Sequence, residues 1–208
     1  MPELHITGDE AADALLSRDP LALMVGMLLD QQVPMETAFS GPAKIADRLG
    51  HFDAERIATL DADEFAAVCR RPPAVHRFPG SMAERIQSLC AAVVADWGGD
   101  AAAVWTRGEP DGAEVYSRLR KLPGFGEQKA RIFVALLGKQ YGLTAPGWRD
   151  AAGRYGADGA ELSVADIVDA ASLQRVREAK RAAKAAATAN TGTTAATGTT
   201  AATGTKGR

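Results

Sequence analysis

Cysteine and histidine are scarce in this chain. Its two cysteines, Cys69 and Cys90, stand apart on apolar helical faces, and its three histidines, His5, His51 and His76, are isolated. Neither set has the spacing of a metal site, and two distant cysteines make no disulfide framework. We expect core packing for the thiols and structural or solvent-facing places for the histidines. No apolar run is long enough to span a membrane, and no signal-like segment opens the chain, so a cytoplasmic location is expected. Charge of one sign is also lacking: 24 Lys+Arg stand against 26 Asp+Glu, for a net charge of -2. That balance disfavours a protein that coats nucleic acid by charge alone, while leaving room for a local basic face. Strand-type alternation is rare and alanine and leucine abound, so an all-α fold is expected. At 208 residues the chain can bury one good core or two small lobes.

What is present is organised around Glu114 to Leu137. Val115, Leu119 and Leu122 fall at helical spacing, as do Ala130, Phe133, Val134 and Leu137 further on. Between them lies the turn Leu122-Pro123-Gly124-Phe125-Gly126. Pro123 ends the first helix because it fixes φ and has no N–H. Gly124 and Gly126 allow positive φ and leave no Cβ above the backbone. The amides of Gly124 to Gln128 can then face outward at the N-terminus of the second helix, a ready site for a phosphate. Lys121, Lys129 and Arg131 would place cations close by. A plain turn between two short helices is the alternative.

Elsewhere the pattern is helical throughout. Asp9 caps a helix to about Ser17, and Asp19-Pro20 opens one that is apolar nearly all round to about Gln32, so it should be buried. A helix from Pro34 or Met35 to Leu49 bends near Gly41-Pro42. Asp53 and Asp61 cap two short helices, and Met82 to Trp97 form a long one. The second hairpin helix runs to about Tyr141. Trp148 to Tyr155 make one short helix, Ser163 caps Val164 to Ala170, and Ser172 caps a basic, alanine-rich helix to about Ala187. Arg175, Arg177, Lys180, Arg181 and Lys184 ring that last helix, as a solvated face or a contact with nucleic-acid backbone. The Thr/Gly/Ala tail, 188–208, has nothing to bury and is expected to be disordered.

Three segments resemble the helix-hairpin-helix (HhH-GPD) DNA glycosylase superfamily related to endonuclease III. They are Met27-Leu28-Leu29-Asp30-Gln31-Gln32-Val33-Pro34, then Gly80-Ser81-Met82-Ala83-Glu84-Arg85-Ile86, then the hairpin. The resemblance implies a two-lobed all-α fold. Residues 21–137 would form a six-helix lobe, and 1–20 with 138–187 the second lobe. It implies a base-excision repair protein, cytoplasmic and nucleoid-associated, that acts as a monomer on double-stranded DNA carrying a damaged or mispaired base. Gln32, or Gln31, would push into the stack and pair with the orphaned base, unless both merely decorate a helix end. Lys121, Leu122, Pro123, Gly124, Phe125, Gly126, Gln128 and Lys129 would hold the DNA backbone. A monovalent cation at the hairpin is the one cofactor the family suggests, and no resident metal is expected.

Departures from the family pattern bear on mechanism. Gln128 stands where strand-cutting members carry a lysine. Lys129 is next door, but one residue turns a helical side chain by about 100°. Lyase activity is therefore disfavoured. Pro146 falls where the family's aspartate belongs, and Asp150 is the nearest acid that could stabilise the cationic sugar or activate water. The iron–sulfur segment of some relatives would need more cysteines than this chain has. Trp148 could stack on a flipped base or pack between lobes. The expected function is that of a monofunctional DNA N-glycosylase. Its rivals are a binder of damaged DNA on the same scaffold and a helical adaptor without a nucleic-acid role.

Overall fold

A computed structural model describes residues 3–194. Twelve α-helices occur among them: α1 (Glu10–Arg18), α2 (Pro20–Leu29), α3 (Met35–Phe39), α4 (Gly41–Leu49), α5 (Ala54–Thr59) and α6 (Ala62–Arg70), then α7 (Pro79–Trp97), α8 (Ala103–Thr106), α9 (Gly112–Lys121), α10 (Glu127–Gln140), α11 (Trp148–Ala152) and α12 (Ala170–Thr194). Short 3-10 turns cover Gly153–Gly156 and Val164–Asp166. The described residues contain no strand, so the fold is all-α, as composition indicates.

Asp9, Asp19, Asp53 and Asp61 start helices where they were expected to, and Asp111, not singled out in the sequence, starts α9 in the same way. The carboxylates of Asp9, Asp19, Asp53, Asp61 and Asp111 accept amide hydrogens in the first turns of α1, α2, α5, α6 and α9. Gly50 and Gly98 close α4 and α7 in the left-handed conformation.

Two helices act as hubs. Every residue of α2 from Leu21 to Leu29 is buried, and α2 packs on α1, α3, α4 and α7. Each fully buried leucine or methionine there contributes about 2 kcal/mol through the area it removes from water. Close approach needs Gly26, where an added Cβ would lie 2.6 Å from the Phe39 ring. The second hub is α10, which packs on α9, α11 and both 3-10 turns and meets α2 directly. Phe133 of α10 is enclosed edge-on by Trp105 and Phe125, with ring centroids 5.9 and 5.6 Å away. Cys69 and Cys90 are buried in the same continuous core, and burial pushes both thiols up to about 12.

Several elements differ from the sequence reading. The expected bent helix 34–49 breaks into α3 and α4 at Ser40. The helix expected over 148–155 tightens into a 3-10 turn after Ala152, where Gly153 follows. Asp169, not Ser172, provides the cap of α12: its carboxylate accepts the Ser172 amide at 2.7 Å. That helix continues through Thr194, past the expected end at Ala187, and the rest of the tail, 195–208, lies outside the described residues.

Candidate nucleic-acid interface

The bend between α9 and α10 is open to solvent at its glycines. Gly124 has φ +83°, a conformation that favours glycine. Gly126 has φ -74°, so its value lies in having no side chain, not in positive φ. The amides of Gly124, Gly126, Glu127 and Gln128 have no acceptor among the described residues. The Phe125 amide differs from expectation: it is bonded to the Leu122 carbonyl at 3.1 Å. Leu122 and Phe125 bury their side chains. They anchor the bend from below and leave only the backbone around them open to solvent. Lys121 is exposed, and Pro123 half-buried, at the end of α9.

The bend rests on the end of α2. A Cβ on Gly124 would come within 3.0 Å of Leu28 Cδ1. From one turn into α10, Lys129 Nζ donates to the Leu28 carbonyl oxygen. The same oxygen accepts from Gln31 Nε2 at 3.1 Å. An ammonium group on the last carbonyls of a helix also meets the negative end of its dipole. Burial drives the Lys129 amine down to about 8, against the pull of Asp30 and with help from Arg85. Asp30, the C-cap of α2, has its carboxyl raised, chiefly by burial, with Lys180 and Lys129 opposing the rise.

The two glutamines of the loop separate cleanly. Gln31 is held: its Oε1 accepts from Arg85 Nη1 at 3.2 Å, and its carbonyl accepts from His76 Nε2 at 2.8 Å. Gln32 is exposed and sits at φ +58°, a strained place for a side-chain-bearing residue. With Val33, Pro34 and Arg77 it lines an open hollow of ≈ 500 Å³. Beside that hollow stands Phe78, 45% exposed, with the Arg77 guanidinium 4.7 Å from its ring centre. Sequence reasoning passed over Phe78. The available signal was an aromatic residue in a loop, ahead of Pro-Gly and a helix.

Gln128 and Lys129 diverge as helical geometry requires. Lys129 faces α2, whereas Gln128 Nε2 donates to the Tyr155 hydroxyl at 3.1 Å. Arg154 donates to the same hydroxyl at 2.9 Å, and these residues border an open hollow of ≈ 440 Å³ with Arg131 and Glu127. Arg131 is tied to Glu127 at 3.2 Å and to the Ala151 carbonyl at 3.1 Å, so its charge is shared locally.

The segment after α10 serves packing. The Pro146 carbonyl accepts from the Gly112 amide at 2.8 Å. The Trp148 ring lies so close over Gly138 that a Cβ there would sit 2.4 Å from it, and the Arg149 guanidinium is 4.6 Å from the ring centre. This ring, read from the sequence as stacking on a base or packing between lobes, is thus engaged by its own chain. Asp150 is exposed on α11, and its carboxylate has no hydrogen-bond or ion-pair partner among the described residues.

Three basic residues of α12 are also engaged from within. Arg177 meets Glu36 of α3, Arg175 meets Glu161, and Lys180 Nζ lies 3.9 Å from Asp30. The last helix therefore reaches across to the loop that carries Gln32. The sequence offered a solvated face or a phosphate contact, and had no means to show these partners.

An all-helical frame that turns free amides outward beside such a loop has the architecture of a helix-hairpin-helix protein that handles DNA. The family model described as HhH-GPD superfamily base excision DNA repair protein matches residues 25–194, so the chain belongs to that superfamily. Comparison with curated proteins and with solved structures returns no match. Among the described residues no helix is long and apolar enough to cross a membrane.

Proposed function

We propose that this base excision repair protein is a monofunctional DNA N-glycosylase that acts as a monomer on duplex DNA with a damaged or mispaired base. The observation that carries the reading is the junction at Leu28. There the bend of free amides and the loop bearing exposed Gln32 are packed onto one helix end. A phosphate bound by the bend and a base displaced by Gln32 would be held at a fixed separation, which is what extrusion of one nucleotide needs. Phe78 supports the opening of the stack from the neighbouring loop. With Gln128 in place of an amine, water is the nucleophile that attacks C1′. Asp150 remains available to serve it from α11, though nothing orients its carboxylate.

A second reading, a catalytically inactive binder of distorted DNA, draws support from Pro146, whose carbonyl is committed to Gly112. One experiment separates the two. The protein is incubated with duplexes carrying uracil, hypoxanthine, 8-oxoguanine, 3-methyladenine or a mismatch, then treated with alkali. Alkali-dependent breaks at one lesion, and none before alkali, are expected. Retarded mobility without breaks on any duplex would favour the binder.

A further inference from the structure

We propose that Asp30 and Lys129 are the acid–base pair of this site, with Asp30 the carboxylate that activates water and Lys129 the donor that protonates the departing base. This rests on the glycosylase reading above and names the residues that would perform it.

Position is the first argument. The pair lies between the two halves of the DNA grip. Asp30 is two residues before Gln32, and Lys129 is three residues after Gly126. Both meet at the end of α2, through the Leu28 carbonyl that Lys129 holds and the C-cap that Asp30 provides. A nucleotide gripped by the bend and displaced by Gln32 would be held beside this end of α2.

Chemical state is the second argument. The two groups act on each other electrostatically but form no direct ion pair with one another among the described residues: Lys129 Nζ donates to the Leu28 carbonyl, and the Asp30 carboxylate faces Lys180. The charged groups facing them come from three elements. Lys180 of α12 lies 3.9 Å from the Asp30 carboxylate, Glu36 of α3 raises Asp30, and Arg85 of α7 lowers Lys129. Glu36 is itself engaged by Arg177. An amine brought down to about 8 gives up a proton far more readily than an ordinary lysine, and it is still protonated at neutral pH.

The step balances. A water oxygen bonds to C1′ as the C1′–N bond breaks, and the bonding electron pair leaves with the base nitrogen. Asp30 takes the proton from the water, and Lys129 gives one to the nitrogen. The proton on Asp30 then returns to the Lys129 amine. The sum is water added across the glycosidic bond, with no co-reactant.

Single-turnover base release, measured on the duplex cleaved in the lesion panel, tests the pair. Asp30→Asn should lower the rate by about 100-fold or more, while binding to a duplex with a tetrahydrofuran abasic analogue is kept. The wild-type rate should fall as pH rises through about 8, where Lys129 loses its proton. Lys129→Arg, which keeps the charge and a donor towards Leu28, should remove that fall. Wild-type rates in Asp30→Asn, or an unchanged alkaline fall in Lys129→Arg, would overturn the pair and leave the glycosylase reading standing. Absence of base release by the wild type from every duplex would overturn both.

Discussion

His76 Nε2 donates to the Gln31 carbonyl at 2.8 Å while its Nδ1 accepts from the Phe78 amide at 3.1 Å. A carbonyl only accepts and an amide only donates, so the hydrogen is fixed on Nε2. One buried ring thereby ties the loop before α7 to the loop after α2. His76→Ala strands two backbone groups and should cost about 1–3 kcal/mol, read as a lower urea midpoint. Affinity for a mismatched duplex should fall with it, because both Gln32 and Phe78 lose their footing. Full affinity in a folded variant would show that the loops position themselves independently.

Gln32 pays a conformational penalty at φ +58° that glycine would not. Gln32→Gly should therefore be more stable than Gln32→Ala by about 1 kcal/mol. Both should bind mismatched DNA more weakly than the wild type. Thermal unfolding and fluorescence anisotropy on the same preparations check the two halves of this expectation.

Phe78 has little to lose on truncation, since its ring is substantially in water. Phe78→Ala should leave stability within about 0.5 kcal/mol of the wild type. Opening of the stack, followed by 2-aminopurine fluorescence opposite a mismatch, should weaken. An unchanged fluorescence rise on binding would remove Phe78 from the interface.

The two glycines of the bend should respond differently to alanine. At Gly124 the methyl would meet both a left-handed φ and Leu28 Cδ1 at 3.0 Å, so about 1–2 kcal/mol of stability is lost. At Gly126, with φ -74° and open space around the site, folding should be untouched. There the methyl stands over free amides, so DNA affinity alone should drop. Equal losses of stability at both positions would contradict the geometry.

Lys129 predicts a pH signature in stability as well. Its folded value, about 8, lies below the ordinary lysine value of 10.5. Between those limits the unfolded chain holds a proton that the folded chain has released, so this residue's contribution rises with pH across that window. The difference in unfolding free energy between the wild type and Lys129→Met should grow in favour of the wild type from pH 8 to 10.5. A flat difference would mean that the amine is not desolvated. Taking the difference cancels Tyr141 and the two thiols, whose raised values act in the opposite direction.

Local chemistry was legible in the chain; distant partnership was not. Four aspartate caps and the buried run of α2 follow from neighbours in sequence and took the expected form; the Pro-Gly bend formed where expected, but with the Phe125 amide bonded to Leu122 and Gly126 at negative φ. Lys129 could be placed one helical step from Gln128, but its acceptor is a carbonyl 101 residues away. Stacking and packing stayed open for Trp148 because nothing local reveals that Gly138 leaves room for its ring. Gln31 and Gln32 were indistinguishable as letters. His76 and Arg85, brought in by other helices, made one a fixture and left the other exposed.

The contacts of α12 bear on the order in which a ribosome delivers the parts. Asp30 and Glu36 emerge early, while Arg177 and Lys180 follow only after the whole hairpin has been made. Until then Asp30 and Glu36 lack these two cations, and Lys129 alone opposes the charge of Asp30. A chain without α12 should therefore present a more negative surface beside the loop that carries Gln32 and bind DNA more weakly than one that carries it.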